Sequence, residues 1–276
     1  MKKYELIEDD TITINGGNIK LYRIRACRSF KSGDKTVNEG DLGGYIQCED
    51  NLSHDGNAWI FNNAKVYSEA KVFDNAKVFG DARVHDNARV FGDSKVFGDA
   101  VVYGKCSIYN NAVVFGYAWI YDYAHVYGNV KVYGNAQVYG FADVYGDAQV
   151  YGNTKVFGNA EVSGDTEIYG DAWIYEDAKV LGNAQVYGHT KVHGNAWIFN
   201  NAKVYSEAKV FGYAQVYDKA RVYGDARIYG KAQVYGNAKV HGKAQVYDKA
   251  WVYGDSKVFG DAEVGDDKCI DRLYLC

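Results

Sequence analysis

Over residues 58–267, small and branched apolar residues recur at fixed places in a six-residue unit that repeats thirty-five times without insertion or deletion. The consensus is Ala, a variable residue, Val, Tyr, Gly, and Asn or Asp, with Val or Ile third in every copy. Side chains alternate across an extended strand, so the first and third positions share one face and the second and fourth share the other. This predicts short strands with an Ala/Val face turned inward, since a branched Cβ packs well on a pleated surface. The fifth and sixth positions predict a tight corner, because Gly and Asn tolerate positive φ at low steric cost. Four extended residues and a two-residue corner then form one side of a polygon. Ser94, Cys106, Val130, Thr154, Thr166, Thr190 and Ser256 replace Ala in the first position, and all are small enough to face a core.

A six-residue period is the mark of a parallel β-helix. It is too short for helical repeats and too regular for a sandwich with uneven loops. The repeat resembles that of the hexapeptide-repeat superfamily, and this resemblance implies a left-handed helix whose triangular coils each hold three hexads, or eighteen residues. The fold expected is therefore all-β: a single-stranded left-handed parallel β-helix of about twelve coils. The run Asp41, Leu42, Gly43, Gly44, Tyr45, followed by Asn51, Leu52, Ser53 and by Gly56, Asn57, Ala58, Trp59, sharpens the likeness. It is similar to the opening of a bacterial and phage-associated branch of that superfamily assigned as acyltransferases.

Three regions follow: a small β cap over 1–51, the repeat over 52–267, and a tail or cap over 268–276. In the first, residues 11–14 and Ile19–Ala26 alternate as strands around a Gly16–Gly17 turn, and Gly43 and Gly44 lead into Tyr45 and Ile46. A stack of parallel coils leaves an unpaired strand layer at each end, so capping is the expected role of residues 1–50. Ile270, Leu273 and Leu275 are the residues expected to close the far end.

Composition adds support and removes some function classes. The 276 residues include no Pro, as expected of a chain in which nearly every strand is central and every amide is needed. A net charge of −4 argues against nucleic-acid partners. Lysines in the variable position are read as a solvated face, alternating with Gln, Asp, Glu and Trp. Lys2 and Lys3 precede no apolar run, which argues against a signal peptide, and no stretch is long and apolar enough to predict a membrane span. Five cysteines at irregular spacing predict reduced thiols and a cytoplasmic protein, with Cys106 in the core and no metal site at Cys269 and Cys276.

Sorted by eighteen, the fourth position forms three aromatic columns, and rings one strand spacing apart, about 4.8 Å, are placed to stack. Departures from the repeat mark the candidate sites. Phe115, Tyr117, Trp119, Tyr121, Tyr123 and His125, with Phe141 one coil beyond Tyr123, form an aromatic cluster expected to bind a partner or a second copy. A gap in the third column at Ser163 and Leu181, beside Asp143, Glu161 and Trp197, is a candidate ligand notch. Its two carboxylates, expected to be exposed, suit acid and base work only if burial splits their pKa values. Residues 56–73 and 194–211 are identical, but their 138-residue separation is not a whole number of coils, so the cassette is read as structural.

The expected function is a non-catalytic solenoid scaffold or binding protein acting through aromatic outer faces, without a cofactor, self-associating or holding a protein partner. The resemblance implies an alternative: an acyltransferase with acetyl-CoA or another acyl-CoA in the groove of a trimer and a His as general base. His125 and His189 are the candidates for that base. Against it, the chain has neither the coil-breaking loop nor the C-terminal helical segment usual in those enzymes, and no histidine is obviously paired with an acid. A second alternative is a small-ligand sequestering protein of phage origin.

Overall fold

Alternating burial builds the molecule one hexad at a time. The computed structural model describes residues 2–271 and the backbone of Tyr274 and Leu275. Leu273 and Cys276, and the Leu275 side chain, lie outside what it describes. The chain divides into two units, residues 1–135 and 136–276, and both are parallel β-solenoids.

In the first unit, Lys65–Val66 pairs in parallel with Arg83–Val84, and Arg89–Val90 with Ser107–Ile108. Lys95–Val96 pairs in the same way with Val113–Val114. Each partner lies eighteen residues on, so a coil holds three hexads and presents three sheets. The second unit keeps this register, as in Lys155↔Trp173, Glu161↔Lys179 and Lys203↔Arg221. Third-position Val and Ile and first-position Ala, Ala262 excepted, are buried along both units, as the pattern predicts. Burying one Val contributes about 1.5–3 kcal/mol, so each coil carries its own core. Cys106 sits inside this core, and burial pushes its thiol up to about 12.

Two details differ from the sequence expectation. Most ladder strands span two residues rather than four, the variable residue and the Val, as in Lys71–Val72. The chain already turns after the fourth position, so continuous pairing stops there. The positive φ also belongs to the fifth position, seen in Gly80 at 72° and in Asp74 at 57°. At several acidic examples the carboxylate accepts an N–H from the next coil: Asp74 from Gly92 at 3.2 Å and Glu176 from Gly194 at 2.7 Å. This bond explains how a residue with a Cβ holds a conformation that favours Gly. Sixth-position amides form a second string, as Asn57 Nδ2 donates to Asn75 Oδ1 at 3.1 Å and Asn75 Nδ2 donates to Asp93 Oδ1 at 3.1 Å.

The solenoid of the first unit is closed at its start by β1 (Tyr4–Ile14) and β2 (Ile19–Ala26), an antiparallel pair turning through Asn15–Gly17. A small hairpin follows, β3 (Phe30–Ser32) with β4 (Lys35–Val37). Next, β5 (Leu42–Ile46) pairs antiparallel with β2 on one side and parallel with Lys65–Val66 on the other. The first rung is thus Tyr45–Ile46, ahead of Leu52. Gly43 and Gly44 allow this contact, since a Cβ on Gly44 would lie 2.5 Å from Ile60 Cγ2 and 2.6 Å from the Ala64 carbonyl. Tyr4 plugs the open core, its hydroxyl donating to the Leu52 carbonyl at 2.6 Å. Lys3 is buried beside it and donates to the Ala58 carbonyl at 3.0 Å. Burial lowers its ammonium to about 8, with the nearby Arg28 charge adding to the effect.

Candidate functional site

The fourth-position aromatics form stacked ladders. In the first unit Phe79, Phe97, Phe115 and Tyr133 follow at 4.6, 4.9 and 4.8 Å between ring centroids, nearly parallel. In the second, Tyr169, Tyr187, Tyr205 and Tyr223 follow at 4.7, 4.9 and 4.9 Å. These offset stacks add about 0.5–1.5 kcal/mol per pair beyond area burial, so the ladders stabilise the coils. Burial in them holds the phenols of Tyr169, Tyr187 and Tyr205 above their usual value.

The structure divides the predicted aromatic cluster into two kinds of residue. Phe115 lies between Phe97 and Tyr133, and Tyr121 stacks on Tyr103 at 4.9 Å, so both are rungs of ladders. Tyr117 and Tyr123, at 61% and 46% exposure, stand at the two corners bounding the side that carries Trp119. Trp119 is 44% exposed and meets the edge of Tyr103. His125 is exposed and starts the next side, opposite Ser107 in register. Phe141, in the second unit, is a corner aromatic with 62% exposure. The sequence reading missed Tyr213, equally prominent at a corner of that unit. Its signal was available, since Phe211, Gly212, Tyr213 and Ala214 repeat the string Phe115, Gly116, Tyr117 and Ala118.

At the ladder gap, Asp143 and Glu161 lie on adjacent rungs. Glu161 is partly buried, not exposed as expected, and its carboxylate is engaged on both sides. Lys179 Nζ approaches it at 2.6 Å, and the Tyr145 hydroxyl donates to it in a short bond. Burial acts to raise the Glu161 carboxyl, but the hydrogen bonds from Lys179 and Tyr145 outweigh it and hold the group below the usual carboxylate value. The same bond to Glu161 raises the Tyr145 phenol. Ser163 is nearly buried below, and Lys179 lies 5.6 Å over the Trp197 ring. Where the ladder lacks rings, Tyr145, Glu161, Lys179 and Trp197 form a polar string. Leu181 continues the ladder column, with its N–H donating to Ile198 O at 2.8 Å.

Histidines do have acidic neighbours, contrary to the sequence expectation. Asp171 Oδ2 lies 3.6 Å from His189 Nδ1, and Glu176 Oε2 lies 3.5 Å from His193 Nδ1. The acids come from the preceding coil, a proximity that follows from the eighteen-residue register. The variable-position lysines also differ from the expected alternation. Register places Lys203, Arg221, Lys239 and Lys257 on four consecutive rungs of one sheet. Among the described residues no group of three or more His, Cys, Asp and Glu side chains is gathered as a metal would need, and no helix is long and apolar enough to cross a membrane.

Comparison with known proteins gives one local likeness. Residues 214–230 match a family model described as the YdcK beta solenoid repeat. The match covers about one coil and agrees with the solenoid geometry, placing the chain's repeat with those of solenoid repeat proteins. No curated protein matches the chain.

Proposed function

We propose that this chain is a non-catalytic solenoid scaffold that binds a protein partner or a second copy of itself through its corner aromatics, working in the cytoplasm without a cofactor. The observation that carries this reading is the exposure of Tyr117 and Tyr123, at corner positions that in most other hexads hold Asn, Asp or another polar residue, on either side of the exposed Trp119. Ladder aromatics stabilise the coil that makes them, whereas corner aromatics at this exposure leave apolar surface uncovered, and such surface marks contact sites. The test is Tyr117→Asn with Tyr123→Asn, which restores the repeat consensus and spares the ladders. Light scattering of the wild type should give a mass above the monomer that falls in the double variant. If the wild type is monomeric and the variant retains every partner recovered with the wild type, the reading fails.

The His189–Asp171 neighbourhood favours one second reading, the acyl-CoA-dependent acyltransferase. A carboxylate beside an imidazole can orient the ring, as a general base requires. His189 is 70% exposed at a corner, so this reading needs a neighbouring subunit to enclose the site. Acetyl-CoA binding measured by calorimetry decides it, and a chain that binds no acyl donor is not such an enzyme. The third reading, sequestration of a small ligand at the gap by Asp143, Glu161, Ser163, Leu181 and Trp197, predicts a co-purifying metabolite visible by mass spectrometry.

A further inference from the structure

The basic column of the second unit is unlike the rest of its surface. Lys203, Arg221, Lys239 and Lys257 stack rung on rung at the strand spacing of about 4.8 Å, where like charges directly opposite repel. Earlier in the same column Glu167 is on a rung of its own, but it accepts a hydrogen bond from Gln185 at 3.0 Å rather than from a lysine. The corner before this column adds the exposed Lys219, and a shallow groove of about 430 Å³ runs along it past Asn183, Asn201 and Asn237. Asp218 also lines the groove, but its carboxylate is engaged, accepting from Asn200 Nδ2 at 3.1 Å and from the Gly236 N–H at 3.3 Å. Asp255 at the same corner accepts from Asn237 Nδ2 at 3.0 Å, so cations and amides line one strip whose acids Asp218 and Asp255 are turned to structural use.

On the other flank stands a ladder whose rings are already stacked, Tyr205 on Tyr223 at 4.9 Å and Tyr223 on His241 at 4.7 Å. Bases need open aromatic faces to stack on, and these faces are filled. The neighbouring sheet also has a basic run, Lys191, Lys209 and Arg227, and Asp225 and Asp261, at the corner between the two sheets, share a surface depression with Arg227 and Glu263.

We propose that the Lys203–Arg221–Lys239–Lys257 column, with Lys219 and the amide groove beside it, is a binding track for a linear acidic polysaccharide. Charge complementarity selects the occupant. A row of cations one rung apart fits a polymer carrying an anionic group at regular intervals, and the flanking amides donate to sugar hydroxyls and ring oxygens. The track shares no residue with the corner aromatics and stands or falls independently of them. Sulfate esters and uronic carboxylates are two sources of the same chemistry.

The test measures anisotropy of fluorescent heparin fragments, polygalacturonate, neutral dextran and oligothymidylate with the full chain across a salt series. The expected result is binding of at least one acidic polysaccharide and not of dextran, weakened at least about tenfold in Arg221→Gln with Lys239→Gln, with a shallower salt dependence. The charge-matched control Lys209→Gln with Arg227→Gln should change affinity less than about threefold. Sulfated and carboxylated probes then report which ester or acid is preferred. Failure of both acidic polysaccharides to bind, equal losses in the two double variants, or oligothymidylate binding as tightly as the polysaccharides would overturn the proposal. If circular dichroism shows the track variant misfolded, Lys219→Gln at the exposed corner replaces it, with a loss of at least about threefold expected and no loss counting against the track.

Discussion

Three threonines in the first position of their hexads, Thr154, Thr166 and Thr190, are equally buried and differ in one bond. The Thr154 hydroxyl donates to the Tyr151 carbonyl at 2.7 Å, and the Thr190 hydroxyl donates to the Tyr187 carbonyl at 2.7 Å. Thr166, whose corresponding carbonyl belongs to Ser163 at the ladder gap, has no partner for its hydroxyl. Replacing each with Val keeps the shape and removes the oxygen. At Thr154 and Thr190 the change removes a made hydrogen bond and should cost about 0.5–1.5 kcal/mol. At Thr166 it removes a buried, unpaired hydroxyl and should stabilise by about 1–3 kcal/mol.

Solenoid stability is a sum of local terms, so a local probe suits this comparison better than a single midpoint. Amide hydrogen exchange provides one, because the N–H of Gln149 donates to the Thr166 carbonyl at 2.8 Å, and that of Gln137 donates to the Thr154 carbonyl at 2.9 Å. Exchange at Gln149 should slow about 5- to 150-fold in Thr166→Val, and exchange at Gln137 should quicken about 2- to 10-fold in Thr154→Val. Shifts of the same sign in all three variants would refute the reasoning, since only the hydroxyl's bonding distinguishes the sites.

Two further predictions concern pH. Lys3 has a folded value of about 8, below the 10.5 of an unfolded lysine, so the unfolded chain holds more protons between these values. Stability should therefore rise across pH 8–10.5, by on the order of 3 kcal/mol for this group, and Lys3→Met should abolish the rise; an unchanged slope in the variant's denaturation midpoints would rule the assignment out. The ladder phenols act in the opposite sense from pH 10 upward. Burial raises Tyr169, Tyr175, Tyr205 and Tyr217 above 10, so they stabilise the fold fully below pH 10 and lose that contribution as pH climbs through their folded values. Unfolding and tyrosinate absorbance should develop together above pH 10, and phenols that ionise with the coils intact would contradict this.

Much of the fold was legible because the core repeats. Val third and Ala first in each hexad leave one inward face available, and every coil tests the same arrangement. The aromatic ladders were legible for the same reason once the fourth position was sorted by eighteen. Corner detail was less so, because Gly and Asn both tolerate positive φ and the composition does not say which of two adjacent residues adopts it. Tyr213 was legible in the string it shares with Tyr117, and the basic column by the same sorting applied to the second position. The engagement of Glu161 by Lys179 and Tyr145 depends on side-chain rotamers across rungs, which no periodicity encodes.

The sequence by itself determined the hexad, its inward face and the burial of its Val column, because strand alternation is a local property of the chain. Tertiary structure decided what covers the outward face. Trp59 and Trp197 occupy the same place in identical eighteen-residue strings. Trp59 is buried at 1% exposure against Phe30 and Tyr4, and Trp197 remains 40% exposed beneath Lys179. The difference comes from residues more than twenty positions away that fold back over one copy only, and burial depends on such neighbours rather than on the string that contains the ring.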